Sequence, residues 1–127
     1  MKYAVILMGL VLPGAAFAAD PVSFAKDIAP ILKNNCATCH LTGQEAGGMA
    51  LYPGKAYEFL VNVPSQESKL LRVKPGAPDK SYLIAKLMGT HLDAGGSGTR
   101  MPFGAPPLPD QTIQLIRDWI AAGAPNN

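Results

Sequence analysis

The chain has 127 residues but only two cysteines and two histidines. A structural zinc site needs about four cysteine or histidine ligands. Such a site would have to use all four of these side chains, including His91, which lies far along the chain from the others. Because these residues are so scarce, the one stretch in which three of them stand together is the most informative part of the sequence.

An excess of charge of either sign is also lacking, since eleven basic residues face nine acidic ones and the formal net charge is +2. A balance so close to neutral argues against nucleic acid or a strongly anionic membrane as the partner. The sequence also lacks an apolar run of about 20 residues, the length that a membrane-spanning helix requires. We therefore expect no stable membrane insertion of the mature chain.

The first 19 residues have the pattern of a cleavable signal peptide. Lys2 supplies the positive start, Ala4–Leu12 the short apolar region, and Ala16–Ala18 the small-x-small cleavage signal. No cysteine stands at the cleavage point, so a lipid anchor is not expected. The pattern predicts export to the periplasm, an oxidising compartment, and leaves residues 20–127 as a single domain.

Cys36-Ala37-Thr38-Cys39-His40 forms the Cys-x-x-Cys-His pattern that attaches a c-type haem. Cys36 and Cys39 can form thioethers to one porphyrin, and His40 is then placed to bind the iron from the proximal side. A thioredoxin-like redox pair would need a preceding strand, and none is indicated. A zinc site and a plain disulfide remain as further alternatives, although a disulfide would not need His40.

Apolar spacing predicts helices rather than strands along the rest of the chain. The first helix is expected to start at Asp27 as its N-cap and to end near Asn35, which brings Cys36 to the porphyrin edge. A second is expected over 55–61. A third is expected from Pro78 through 81–88, with Gly89 as its C-terminal stop. The last, over 110–122, is the clearest, while 65–74 reads either as a buried extended segment or as an irregular connector.

The residue on the other side of the iron decides between electron transfer and ligand chemistry. The candidates are Met49, Met88, His91 and Met101. Met101 is preferred, because it stands in a glycine- and proline-rich loop between two helices. Pro102 also forces Met101 into an extended conformation. A backbone carbonyl from 48–53 is expected to accept the second ring N–H of the proximal histidine.

Four motifs in order resemble those of the single-haem planctomycete-type domain, within the class I c-type cytochromes. They are Pro30-Ile31-Leu32 before the haem motif, Pro75 to Leu83, Met101-Pro102, and Trp119 to Ala124. The resemblance covers nearly all of residues 20–127. It implies an all-α, small cytochrome c fold with about four short helices around one covalently bound haem c. It also implies Met101 as the distal iron ligand.

The expected function is that of a soluble periplasmic single-electron carrier with one haem c and His/Met axial ligation. Its partners would be other redox proteins of a respiratory chain, the protein would be a monomer, and it would not be an enzyme. The alternative is a haem-based sensor or small-ligand-binding protein whose sixth ligand is displaceable. A peroxidase is a poorer alternative, suggested only by His91 and Arg100 in one loop.

Covalent haem attachment makes the first testable prediction. The processed product is expected to carry the added mass of one haem after denaturation, because thioether bonds survive unfolding. Intact-mass spectrometry measures this directly. The control is the variant in which Cys36 and Cys39 are both replaced by serine. A wild-type product without the added mass would contradict the haem assignment.

Overall fold

The computed structural model describes residues 20–127 and is all-α over that range. It has four α-helices, α1 (Ala29–Asn35), α2 (Ala56–Leu60), α3 (Tyr82–Met88) and α4 (Asp110–Ala121). Within the described residues there is no β-strand, only isolated bridges between extended residues. The all-α prediction is confirmed, whereas the predicted signal peptide lies outside the described residues.

The first helical segment begins earlier than expected. A π-helical turn, Phe24–Ile28, runs directly into α1, and its N-cap is Ser23, whose hydroxyl accepts a hydrogen bond from the Lys26 N–H. The prediction of Asp27 as N-cap is therefore wrong. The Asp27 carboxylate instead accepts a hydrogen bond from the Ser23 N–H at 2.7 Å. Pro30 follows the wide turn as the second residue of α1.

The third helix is also divided. Pro78 starts a 3-10 turn, Pro78–Lys80, and α3 begins only at Tyr82 because Ser81 between them has an extended backbone. The Ser81 hydroxyl accepts a hydrogen bond from the Lys74 N–H and donates one to the Ala77 carbonyl. Ser81 is therefore held as part of a turn rather than of a helix.

The core lies where α4 packs on the π-helical turn. Trp119 has its ring centroid 5.3 Å from that of Phe24, and Tyr57 of α2 meets Phe24 edge-on at 5.2 Å. Both polar aromatic groups are paired, since the Trp119 indole donates to the Pro125 carbonyl and the Tyr57 hydroxyl to the Ala124 carbonyl. The last helix therefore packs on the π-helical turn that leads into α1. The isoleucines of the α4 stripe, Ile113, Ile116 and Ile120, are all buried.

The segment between α2 and α3 is extended and irregular. Bridges join Val61 to Val73 and Pro64 to Leu71, and Leu71 also pairs with Ser81. Residues 65–74 therefore have features of both alternatives, because an irregular turn is combined with short extended pairings. After α3 the chain turns at Gly89, whose φ of 78° suits glycine. It forms no further helix or strand before α4.

The α4 core makes the second testable prediction. Ile116→Ala is expected to lower the free energy of unfolding by about 2–5 kcal/mol, because the fully buried side chain leaves a cavity. Chemical denaturation followed by circular dichroism measures the loss. The matched control on the same helix is Gln111→Ala at an exposed position, expected to change stability by less than about 0.5 kcal/mol. Equal losses in the two variants would contradict this description of the core.

Candidate functional site

The Cys-x-x-Cys-His motif forms a turn that continues from the end of α1. The Cys36 N–H donates to the Leu32 carbonyl at 2.9 Å, in the manner of one more helical residue. The N–H groups of Cys39 and His40 then both donate to the Cys36 carbonyl, at 3.2 and 3.0 Å. This turn is compact enough to direct two thiols and one imidazole toward the same space. The two cysteines form no disulfide.

That space is a cavity of about 410 Å³, and it brings together all four residues that the sequence nominated. Cys36, Cys39 and His40 line it from one segment, and Met101 lines it from the loop between α3 and α4. Its volume lies within the range of about 300–1,000 Å³ that is usual for small-molecule and cofactor sites. Much of the remaining wall is apolar, from residues that include Leu51, Leu83, Leu87 and Phe103.

The donor atoms and the largely apolar wall of this cavity fit a covalently held haem. The two thiols lie three positions apart, beside an imidazole, and a thioether enters from a distant segment. His40 Nδ1 is enclosed by protein and has no hydrogen-bond partner, so Nε2 is the ring nitrogen available to a metal. The expectation of an accepting carbonyl from 48–53 is wrong. In this segment Leu51 instead donates its N–H to the His40 carbonyl at 2.8 Å.

Burial shifts the pKa values of two groups in the motif. Burial lowers the pKa of His40 below its ordinary value of 6.5, which favours the neutral imidazole that binds metals. Glu45 and Glu67 oppose this shift, while the positive charge of Arg72 adds to it. For Cys36, burial together with the nearby Cys39 raises the thiol pKa to about 11, so this thiol is protonated at neutral pH.

A buried arginine supports the loop beside His40, and the sequence analysis missed it. Arg72 is only 4% exposed, and its guanidinium donates to the carbonyls of Gly47 at 2.6 Å, Gly48 at 3.1 Å and Phe59 at 2.8 Å. The planar group with several fixed donors suits such multiple bonding. The signal was present, because Arg72 is the one charged residue within the apolar run 70–73.

The other candidate ligands lie outside this cavity or beside the His40 imidazole. Met49 also lines the cavity, but its Cε and the His40 Cε1 both lie within 4 Å of the place where a Cβ on Gly47 would stand. Met49 therefore packs near the His40 imidazole. Met88 is 53% exposed and lines a different cavity of about 360 Å³. His91 is buried and does not line the cavity, and its Nε2 lies 3.1 Å from the carbonyl of Gly98, which does.

Two charged residues that the sequence analysis did not single out also line the cavity. Lys86 of α3 is buried, and its Nζ lies 2.6 Å from a carboxylate oxygen of Glu67. Neither residue belongs to a recognisable motif. Lys86 follows one helical turn after Tyr82 on α3, but this spacing alone does not indicate a functional site.

The part of the chain that the structure describes contains no cluster of three or more His, Cys, Asp or Glu side chains suited to a metal ion. The four-ligand zinc alternative therefore has no support in residues 20–127. In the same range, no helix has the length and apolar character needed to cross a membrane.

No protein-family model, curated protein or solved structure matches the chain significantly. The geometry of the cavity and the chemistry of its lining residues therefore carry the functional argument.

The turn that follows His40 makes the third testable prediction. Hydrogen bonds from the backbone N–H groups of Glu45 itself and of Thr42 and Gly43 lower the pKa of the Glu45 carboxyl from 4.5 to about 2. A lowered folded-state pKa means that this carboxylate stabilises the fold above pH 4.5 and loses that contribution as the pH falls toward 2. Wild-type stability should therefore decrease over this interval.

Urea denaturation of wild type and Glu45→Gln at several pH values measures this contribution. The difference in stability between the two proteins is expected to be constant above pH 5 and to vanish near pH 2. The control is Glu58→Gln, which removes a carboxylate bonded to Lys55 on the surface of α2. A difference that does not depend on pH would contradict the role assigned to Glu45.

Proposed function

We propose that this protein is a single-haem c-type cytochrome that carries one electron at a time between redox proteins. The observation that carries the proposal is the convergence of Cys36, Cys39, His40 and Met101 on one largely apolar cavity. Met101 stands more than 60 positions from the motif in the sequence. A thioether brought back over that distance to face two thiols and an imidazole supports a cytochrome c fold around a haem.

Each of the four residues has a distinct role in this proposal. Cys36 and Cys39 would hold the porphyrin through thioether bonds, and His40 Nε2 and the Met101 sulfur would bind the iron. The bound haem supplies a reversible one-electron couple, and a thioether ligand raises its reduction potential. Leu51 and Leu87 line the cavity and would exclude water from the ring.

Electron transfer is favoured over ligand chemistry because the cavity would offer the iron two ligating side chains, His40 and Met101, from separate segments. A closed coordination shell exchanges electrons with little rearrangement. His91 and Arg100 do not line the cavity, so the peroxidase alternative gains no support. Phe103, which is 70% exposed, stands at the cavity and leaves one side of the site accessible to a redox partner.

The setting proposed for this carrier follows from the sequence patterns. A cleavable leader and a haem motif together favour the periplasm, and a monomer that exchanges electrons with other proteins of a respiratory chain is the simplest arrangement. These assignments stay predictions.

One observation favours the second candidate, a haem-based sensor whose methionine ligand can be displaced. Met101 belongs to a long segment without helix or strand between Met88 and Asp110. A ligand on such a segment can leave the iron without disturbing the helices. The two functions differ in how readily the sixth position opens to an external ligand.

A redox titration combined with optical spectroscopy tests the proposed function and is the fourth prediction. The ferric wild-type protein is expected to be low-spin with the weak sulfur-to-iron charge-transfer band, and the ferrous protein to bind carbon monoxide slowly. Met101→Ala should lose the band, bind carbon monoxide rapidly and have a potential lower by on the order of 0.1 V, since axial ligands set haem potentials.

The controls are Met49→Leu and Met88→Leu, which should both retain the band. Rapid carbon monoxide binding by the wild-type protein would favour the sensor. Loss of the band in Met49→Leu but not in Met101→Ala would show that the distal ligand is misassigned.

A further inference from the structure

The cavity wall contains a hydrogen-bonded cluster formed by Glu67, Lys86 and Tyr82. One carboxylate oxygen of Glu67 accepts from Lys86 Nζ at 2.6 Å and from the Tyr82 hydroxyl at 2.8 Å. Lys86 and Tyr82 are buried on α3, and Glu67 is half-buried on the segment before it. Burying an ion pair costs solvation and adds little net stability, yet its directional bonds hold the groups in one geometry.

Lys86 also holds the segment that carries Met101, and it does so at two points. Its Nζ donates to the Ser97 carbonyl at 2.7 Å. Its backbone carbonyl accepts from the Met101 N–H at 3.0 Å. This carbonyl belongs to the last turn of α3, where carbonyl groups have no partner within the helix. Lys86 therefore bonds both to Ser97, four positions before the proposed iron ligand, and to Met101, which is the proposed ligand itself.

The segment lies directly against the cluster. A Cβ on Gly96 would overlap the Tyr82 hydroxyl and stand 2.8 Å from the His91 carbonyl, so only glycine fits there. A Cβ on Gly98 would stand 3.3 Å from Lys86 Nζ. The Gly98 carbonyl is also bonded to the His91 ring. These close approaches leave the segment little room to shift while the cluster is intact.

We propose that the Glu67–Lys86–Tyr82 cluster positions Met101 by holding residues 96–101 against α3. Lys86 is a positioning residue, because it contacts the Met101 backbone and not the proposed metal. Glu67 and Tyr82 act through Lys86, since they fix its ammonium group where it reaches the Ser97 carbonyl. The cluster therefore controls how readily the distal methionine leaves, a consequence that rests on the proposed function.

Two measurements on the full-length haem protein test this inference. The first is the amide hydrogen exchange of Met101, which reports on the segment whether or not its sulfur binds iron. The second is the rate at which imidazole binds the ferric protein by displacing the methionine. A merely structural role would lower global stability and accelerate the exchange of core amides and of Met101 together, whereas a positioning role accelerates Met101 selectively.

The variants are Lys86→Met, which removes the ammonium but keeps the backbone carbonyl, and Glu67→Gln, which removes only the charge of the acceptor. Lys86→Met is expected to raise both rates about tenfold or more, because a hydrogen bond from a charged donor is lost. Glu67→Gln should raise them less, and Lys86→Arg should return them toward the wild-type values. The matched control is Lys55→Met, which breaks the exposed Lys55–Glu58 pair and should change neither rate.

The inference is overturned if Met101 exchange in both Lys86→Met and Glu67→Gln equals that of the Lys55→Met control. Failure of the proposed function gives a different result, namely a wild-type protein without the sulfur-to-iron band. In that case Met101 is not the ligand, and amide exchange alone decides whether the cluster holds the segment. Accelerated exchange with an unchanged imidazole rate would overturn the claim that the cluster controls ligand release.

Discussion

The contact between Trp119 of α4 and Phe24 of the π-helical turn is the interaction on which the rest of the structure depends. It joins the last helix to the segment that leads into α1, and α1 ends at the Cys-x-x-Cys-His turn. The apolar stripe of α4 buries itself against the same elements. Once this packing is made, the position of His40 relative to the helical core follows from the short path along α1.

The cavity is then completed by two irregular segments, each held by one buried cation. Arg72 donates to the carbonyls of Gly47 and Gly48 beside His40. On the other segment, the Lys86 ammonium donates to the Ser97 carbonyl, and the Lys86 backbone carbonyl accepts from the Met101 N–H. Loops rich in glycine lose much entropy when they become ordered. Charged donors bonded to backbone carbonyls compensate for part of this loss and give the loops a defined shape.

Much of the helical framework could be predicted from the sequence, because its signals are local. The apolar stripe of α4 correctly predicted that helix, and Gly89 correctly predicted the end of α3. The expected cap at Asp27 failed because Ser23 competes for the same role four residues earlier, and a wide π-helical turn accommodates Pro30. Sequence reasoning had no basis for anticipating that turn, since neighbouring packing decides it.

The sequence by itself determined that two thiols and an imidazole lie together, because Cys36, Cys39 and His40 are neighbours whatever fold the chain adopts. Only the tertiary structure decided that Met101 shares their cavity while Met88 and His91 do not. It also decided that Arg72 and Lys86 support the loops on either side. Contacts between residues far apart in sequence depend on how helices and loops pack. The spacing of residues along the chain predicts single helices and turns, but it does not predict how these elements pack together.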